Sequence, residues 1–224
     1  MDYVDVCPPS VVQAIREADL RSYDSRNLIT WAETEAGRGC AVAALDEVAR
    51  RLTPDSDLAV IDLFWNAVAT YAPMLDADQI ETVRLAYLRI PYDPALSFNY
   101  FLGLRNTGID IRGRLRNRVP INWNFTSTRR DAQTWDYYLY LASLNEPGAL
   151  AALAAKIADT ASGNDATQML RSLSDLRVDG VDAILKGYAG DPRRADGVSG
   201  PGLPLSKNIE LMLMRRAAAQ AAGP

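Results

Sequence analysis

Apolar residues recur along most of the chain at three- and four-residue intervals, the spacing of one buried helical face, and short polar or Gly- and Pro-bearing stretches interrupt them. Ser10 with Gln13 reads as a capping box opening a first helix to about Ser22. Asn27 is placed to cap a second helix, Leu28 to Glu35, which Gly37 and Gly39 end; a third runs from Cys40 to Leu52. Thr53-Pro54 opens a fourth, ending near Tyr71, that is apolar around most of its circumference and should sit at the centre of the core. Asp76 with Gln79 caps a fifth to Arg89, and Asp93-Pro94 starts a sixth that Gly108 closes. Further helices are expected from Ser127 or Thr128 to Leu144, Asn145 to Thr160, Asp165 to Leu176, Asp179 to Tyr188 and Ser206 to Ala221. Short connections make neighbouring helices antiparallel.

The period changes from residue 109 to 126. Apolar or small side chains fall at Ile109, Ile111, Gly113, Leu115, Val119, Ile121, Trp123 and Phe125, and polar ones at the even positions between them. Only Asn117 and Pro120 break this alternation, which belongs to a strand whose successive side chains face opposite ways. The segment is therefore expected to be a β-hairpin, with Leu115 paired to Ile121, Ile111 to Phe125, and Gly113 under the indole of Trp123. Its outward face would carry Arg112, Arg114, Arg116 and Arg118. The expected fold is mainly α: one domain over 1–224, a compact bundle or stack of helical hairpins with this β-hairpin inserted and a long irregular loop at 189–205.

Charge sharpens that reading. The chain carries −4 overall, yet the stretch from Arg105 to Arg130 holds seven arginines and one acid, a net of +6 against −10 elsewhere. A concentrated basic segment on an acidic body implies a local anion site rather than a surface that binds nucleic acid all over. The 21 arginines against three lysines fit either a codon bias or a demand for planar, forked donors. Arg129 and Arg130 extend the candidate anion- or partner-binding set of Arg112, Arg114, Arg116 and Arg118.

Other chemistry is sparse. The chain has no histidine, which removes histidine-based triads and histidine metal sites and weighs against an enzyme. Cys7 and Cys40 sit in no metal or redox pattern and are read first as two buried thiols, with a disulfide as the alternative. Trp135, Tyr137, Tyr138 and Tyr140 would fit base stacking, but Trp135, Tyr138, Leu139 and Ala142 also fall on one helical face, which favours a core stripe. Asp62 with Asn66 in the apolar fourth helix, and Glu33 with Glu35 beside Trp31, are the carboxylate candidates for proton chemistry. Ser199-Gly200-Pro201-Gly202 lacks a phosphate-loop pattern, Asp191 and Asp196-Gly197 lack the spaced acids of a calcium loop, and Asn124-Phe125-Thr126 matches a glycosylation acceptor.

These residues lead to a non-enzymatic interaction or assembly protein that binds a protein partner or another copy of itself through the arginine hairpin and the Gly/Pro loop. The alternative is a coat-like subunit binding RNA or another polyanion through the same arginines, and an enzyme using carboxylate or tyrosine acid/base chemistry ranks third. No catalytic residue, cofactor or metal is assigned. No membrane span and no signal peptide are expected, so the default location is cytoplasmic, with export as the alternative if Met1 was added to a processed chain.

Overall fold

The computed structural model describes residues 7–94, 99–123, 132–195 and 203–221. Its helices are α1 Pro9–Glu17, α2 Leu28–Ala36, α3 Arg38–Arg51, α4 Leu58–Tyr71, α5 Ala77–Arg89, α6 Tyr100–Thr107, α7 Arg112–Leu115, α8 Ala132–Ser143, α9 Ala149–Asp159, α10 Gly163–Ser174, α11 Val181–Gly187 and α12 Leu205–Ala221. Short 3₁₀ turns at Tyr23–Asn27 and Ala72–Met74 join them. The chain divides into two compact units, Met1–Pro120 and Ile121–Pro224. Among the described residues no strand is present and no helix is long and apolar enough to cross a membrane.

In the first unit α4 is the central helix, burying Val60, Ile61, Phe64, Trp65, Val68 and Tyr71. Its Trp65 stacks on Tyr87 of α5 at 4.2 Å, and Tyr100 of α6 meets both rings edge-on. The Tyr87 hydroxyl donates to the carbonyl of Tyr100 at 3.1 Å, which gives a buried phenol its partner. Gly103 makes room for it, because a Cβ there would stand 2.5 Å from the Tyr87 oxygen. Asp76 and Gln79 form the expected capping box of α5, each side chain accepting from the other's backbone N–H. The Ser10–Gln13 box does not form: α1 begins at Pro9, two residues before a Ser10 cap would start it, with proline at its first position. The fourth helix also starts later than expected, at Leu58, where Asp57 rather than Thr53 accepts from a first-turn N–H.

Four arginines tie helix ends together. Arg51, the last residue of α3, donates to the carbonyls of Ile15 and Ala18 at the end of α1. Arg89, the last residue of α5, donates to Ala49 and Arg50 at the end of α3. The C-terminal ends of α1, α3 and α5 thus lie side by side, as they do when helical hairpins stack and alternate helices run the same way. The second unit repeats the device: Arg193 donates to Ile157 and Thr160 at the end of α9, and Arg216 of α12 to Ser174 and Leu176 at the end of α10. Carbonyls in the last helical turn have no partner within the helix, and a guanidinium bridges two of them while matching the negative end of the helix dipole. Part of the arginine bias is therefore architectural.

The two cysteines are bonded. Cys7, just before α1, joins Cys40 at the start of α3 with a Cα–Cα separation of 4.7 Å, so the reading of two buried thiols is corrected. Their sequence distance of 33 residues hid the proximity, which comes from α1 packing on α3. The core of the second unit joins α8 to α12, with Leu139, Leu153, Ile157, Met169, Leu170, Leu173, Leu185 and Ile209 all buried.

The expected β-hairpin at 109–126 does not form. Gly108 closes α6 in the left-handed conformation, and then the Asp110 carboxylate accepts from the backbone N–H of Arg112, which turns the chain into the single helical turn α7. Asn117 adopts a positive φ of 67°, a conformation asparagine tolerates, and bends the chain again. Among the described residues nothing lies within 4 Å of a Cβ built on Gly113, and Trp123 instead contacts Tyr138 at 4.6 Å. The division between the two units falls after Pro120, inside the segment expected to pair with itself, and the 124–126 end of that segment lies outside the described residues. The alternation nevertheless marks burial in the first half: Ile109, Ile111, Leu115 and Val119 are buried.

Candidate functional site

Three of the four arginines singled out by the sequence stand exposed around α7: Arg114, Arg116 and Arg118. The buried Ile111, Leu115 and Val119 anchor the turn beneath them. Among the described residues the three guanidinium groups have no hydrogen-bond or ion-pair partner. Arg112 differs. It clasps Asp110 through Nη2–Oδ2 at 2.7 Å and through its backbone N–H at 3.1 Å, and its side-chain hydrogen bond holds the Asp110 carboxyl below the usual carboxylate range. Arg129 and Arg130, the Asn124–Thr126 acceptor pattern and Ser199 to Gly202 lie outside the described residues.

The aromatic group beyond this segment is mostly core. Trp135, Tyr137 and Tyr140 are buried, and Trp135 donates from Nε1 to the Ser172 hydroxyl at 2.8 Å. Tyr138, on the same helix, is half-buried beside Trp123. The carboxylate candidates also serve packing. Glu33 accepts from the Tyr71 hydroxyl at 2.6 Å, and burial, followed by this bond, pushes the Tyr71 phenol up to about 12, away from useful proton transfer near neutrality. Asn66 accepts from Asn99 at 2.6 Å, and Asp62 lies half-exposed on the narrow polar strip of α4.

The base of the long loop is tightly held. Asp191 accepts from the backbone and guanidinium of Arg193, while the same guanidinium reaches the end of α9. An antiparallel bridge links Arg194 to Pro204, so the two ends of the loop meet. Gly163, the first residue of α10, lies against this bridge; a Cβ there would collide with the carbonyl of Arg194. The Asp191 carboxylate faces its own arginine, a role that does not belong to a calcium ligand set.

A second arginine surface was not singled out from the sequence. An open groove of about 540 Å³ lies between the end of α10, the connection to α11, and α12. Arg171, Arg177 and Arg215 line it, and none of the three has a side-chain partner among the described residues. Arg216 stands behind them, fixed by Asp182 and the carbonyls of Ser174 and Leu176. Asp175 and Asp179 complete the charged lining, and Met212, Val178 and Ala219 supply apolar surface. The tripeptide Asp175-Leu176-Arg177 repeats Asp19-Leu20-Arg21, but no local pattern brings Arg171, Arg177 and Arg215 together. Compared with known proteins, the chain matches no family model, no curated protein and no solved structure.

Proposed function

We propose that this chain is a non-enzymatic interaction protein that docks an acidic protein surface on the α7 turn, with another copy of itself as one candidate partner. The observation that carries this reading is the triplet Arg114, Arg116 and Arg118: exposed, unpaired among the described residues, and mounted on a buried apolar base. Many arginines elsewhere are engaged in caps and ion pairs, as at Arg50, Arg51, Arg84, Arg89, Arg193 and Arg216, although Arg171, Arg177 and Arg215 are not. Charge of one sign on a fixed platform steers and orients an oppositely charged partner. The acidic remainder of the chain makes self-association through opposite charges a specific form of this reading.

RNA or another polyanion is the second reading, favoured by the density of guanidinium groups. Base stacking finds little support, because Trp135, Tyr137 and Tyr140 are buried, so a nucleic acid would be held by its phosphates alone. The Cys7–Cys40 bond supports an oxidising compartment over the cytoplasm for this protein.

A photo-cross-linking side chain placed at Arg116 tests the proposal in cell extracts and with the purified chain. Capture of a protein, weakened by salt and by the Arg114→Gln/Arg118→Gln background, is the expected result. Capture of nothing, or capture indifferent to both changes, overturns it. If RNA is the partner, replacing all three arginines should lower the log–log salt slope of binding by about two units.

A further inference from the structure

We propose that the groove between α10 and α12 binds a short acidic peptide segment of a partner protein, one with apolar side chains between its carboxylates. The site belongs to the second unit and does not depend on the α7 turn.

Besides Asp24-Ser25-Arg26 in a 3₁₀ turn, four Asp-x-Arg tripeptides follow α-helix ends. Three are closed: Asp19 holds Arg21, Asp110 holds Arg112, and Asp191 holds Arg193, each carboxylate accepting from the arginine's backbone N–H and its guanidinium. The fourth, Asp175 with Arg177, stays open. Asp175 keeps helical dihedrals, with φ −78° and ψ −12°, as the C-cap of α10, so its carboxylate makes no such turn with Arg177. Both side chains therefore line the groove without partners among the described residues. An acid at the negative end of a helix gains nothing from the helix dipole, so neither capping nor pairing accounts for Asp175.

Ligand class follows from the lining. Arg171, Arg177 and Arg215 offer forked donors that match carboxylates, and the aliphatic surface of Met212, Val178 and Ala219 takes apolar side chains. Asp175 and Asp179 repel a dense polyanion such as RNA or polyphosphate, but they accept hydrogen bonds from peptide N–H groups. Among the described residues no aromatic ring lines the groove, so they offer a nucleobase no stacking surface. A ligand carrying carboxylates, backbone donors and aliphatic side chains together satisfies the whole set, and the groove volume of about 540 Å³ suits a short segment.

Fluorescence anisotropy with a fluorescein-labelled peptide of alternating glutamate and leucine tests this on the full chain. Saturable binding is expected, with the glutamine-for-glutamate peptide failing to bind. The Arg177→Gln/Arg215→Gln variant should weaken binding about tenfold or more, since each lost charge-assisted hydrogen bond is worth that much. Ala219→Trp changes an exposed position and should block the groove with every charge intact. No saturable binding, equal binding of the glutamine peptide, or indifference to both variants overturns the proposal. Tighter binding of polyphosphate or an RNA oligomer through the same arginines also overturns it.

Discussion

Arg89 donates a hydrogen bond of 2.6 Å to the carbonyl of Ala49, so the end of α5 closes the end of α3 from 40 residues away. Replacing Arg89 or Arg51 by methionine keeps the aliphatic stem and removes the donors. Each variant should lose about 1–3 kcal/mol of stability, because the helix-end carbonyls lose charge-assisted partners. Urea unfolding measures this, and an unchanged midpoint would show that water replaces the guanidinium without loss.

The exposed arginines of the α7 turn should behave oppositely. Arg114→Gln, Arg116→Gln and Arg118→Gln touch no described partner and should each leave stability within about 0.5 kcal/mol of the parent. The same unfolding measurement therefore separates arginines that build the fold from those that do not.

Reduction of the Cys7–Cys40 bond, or Cys40→Ala, releases a loop spanning 33 residues. Chain-entropy arguments put the loss at about 3–4 kcal/mol. Unfolding with and without reductant should show it for the parent chain and no effect of reductant on the alanine variant.

Gly163→Ala places a methyl group where the Arg194 backbone passes. Since backbone cannot rotate away as a side chain does, the variant should lose about 1–3 kcal/mol. Amide exchange should report it at Ala195 and Leu205, the two N–H donors of the bridge region.

The clasp at Asp191 has a defined pH signature. The Arg193 hydrogen bond holds this carboxyl below its usual value, so its contribution is present above the unfolded value, near about pH 4, and is lost as pH falls through the lower folded value. Asp191→Asn should therefore lower the melting temperature at neutral pH, and the difference from the parent should shrink in acid. A constant difference down to about pH 2 would contradict the linkage.

Most helices were legible because their signals are local. The stripe of α4 and the Asp76–Gln79 box of α5 need only neighbours three or four residues away. The segment around α7 misled for an equally local reason. Alternating burial is shared by a strand and by a short helical turn flanked by extended residues, and the side-chain bond from Asp110 to the Arg112 backbone tips the balance to the turn. Of the candidate arginines, exposure at Arg114, Arg116 and Arg118 agreed with the outward face expected of even positions, whereas the clasp on Arg112 was not anticipated.

What the sequence by itself determined is the helical class, the central apolar helix and the concentration of positive charge between Arg105 and Arg130. Only the tertiary structure decided which arginines are engaged and which are open, that Cys7 meets Cys40, and that Arg171, Arg177 and Arg215 share one groove. The physical reason is range. Periodicity and capping act within a few residues, but the caps laid by Arg51, Arg89, Arg193 and Arg216 join residues more than 30 apart, and their pairing exists only once the hairpins have stacked.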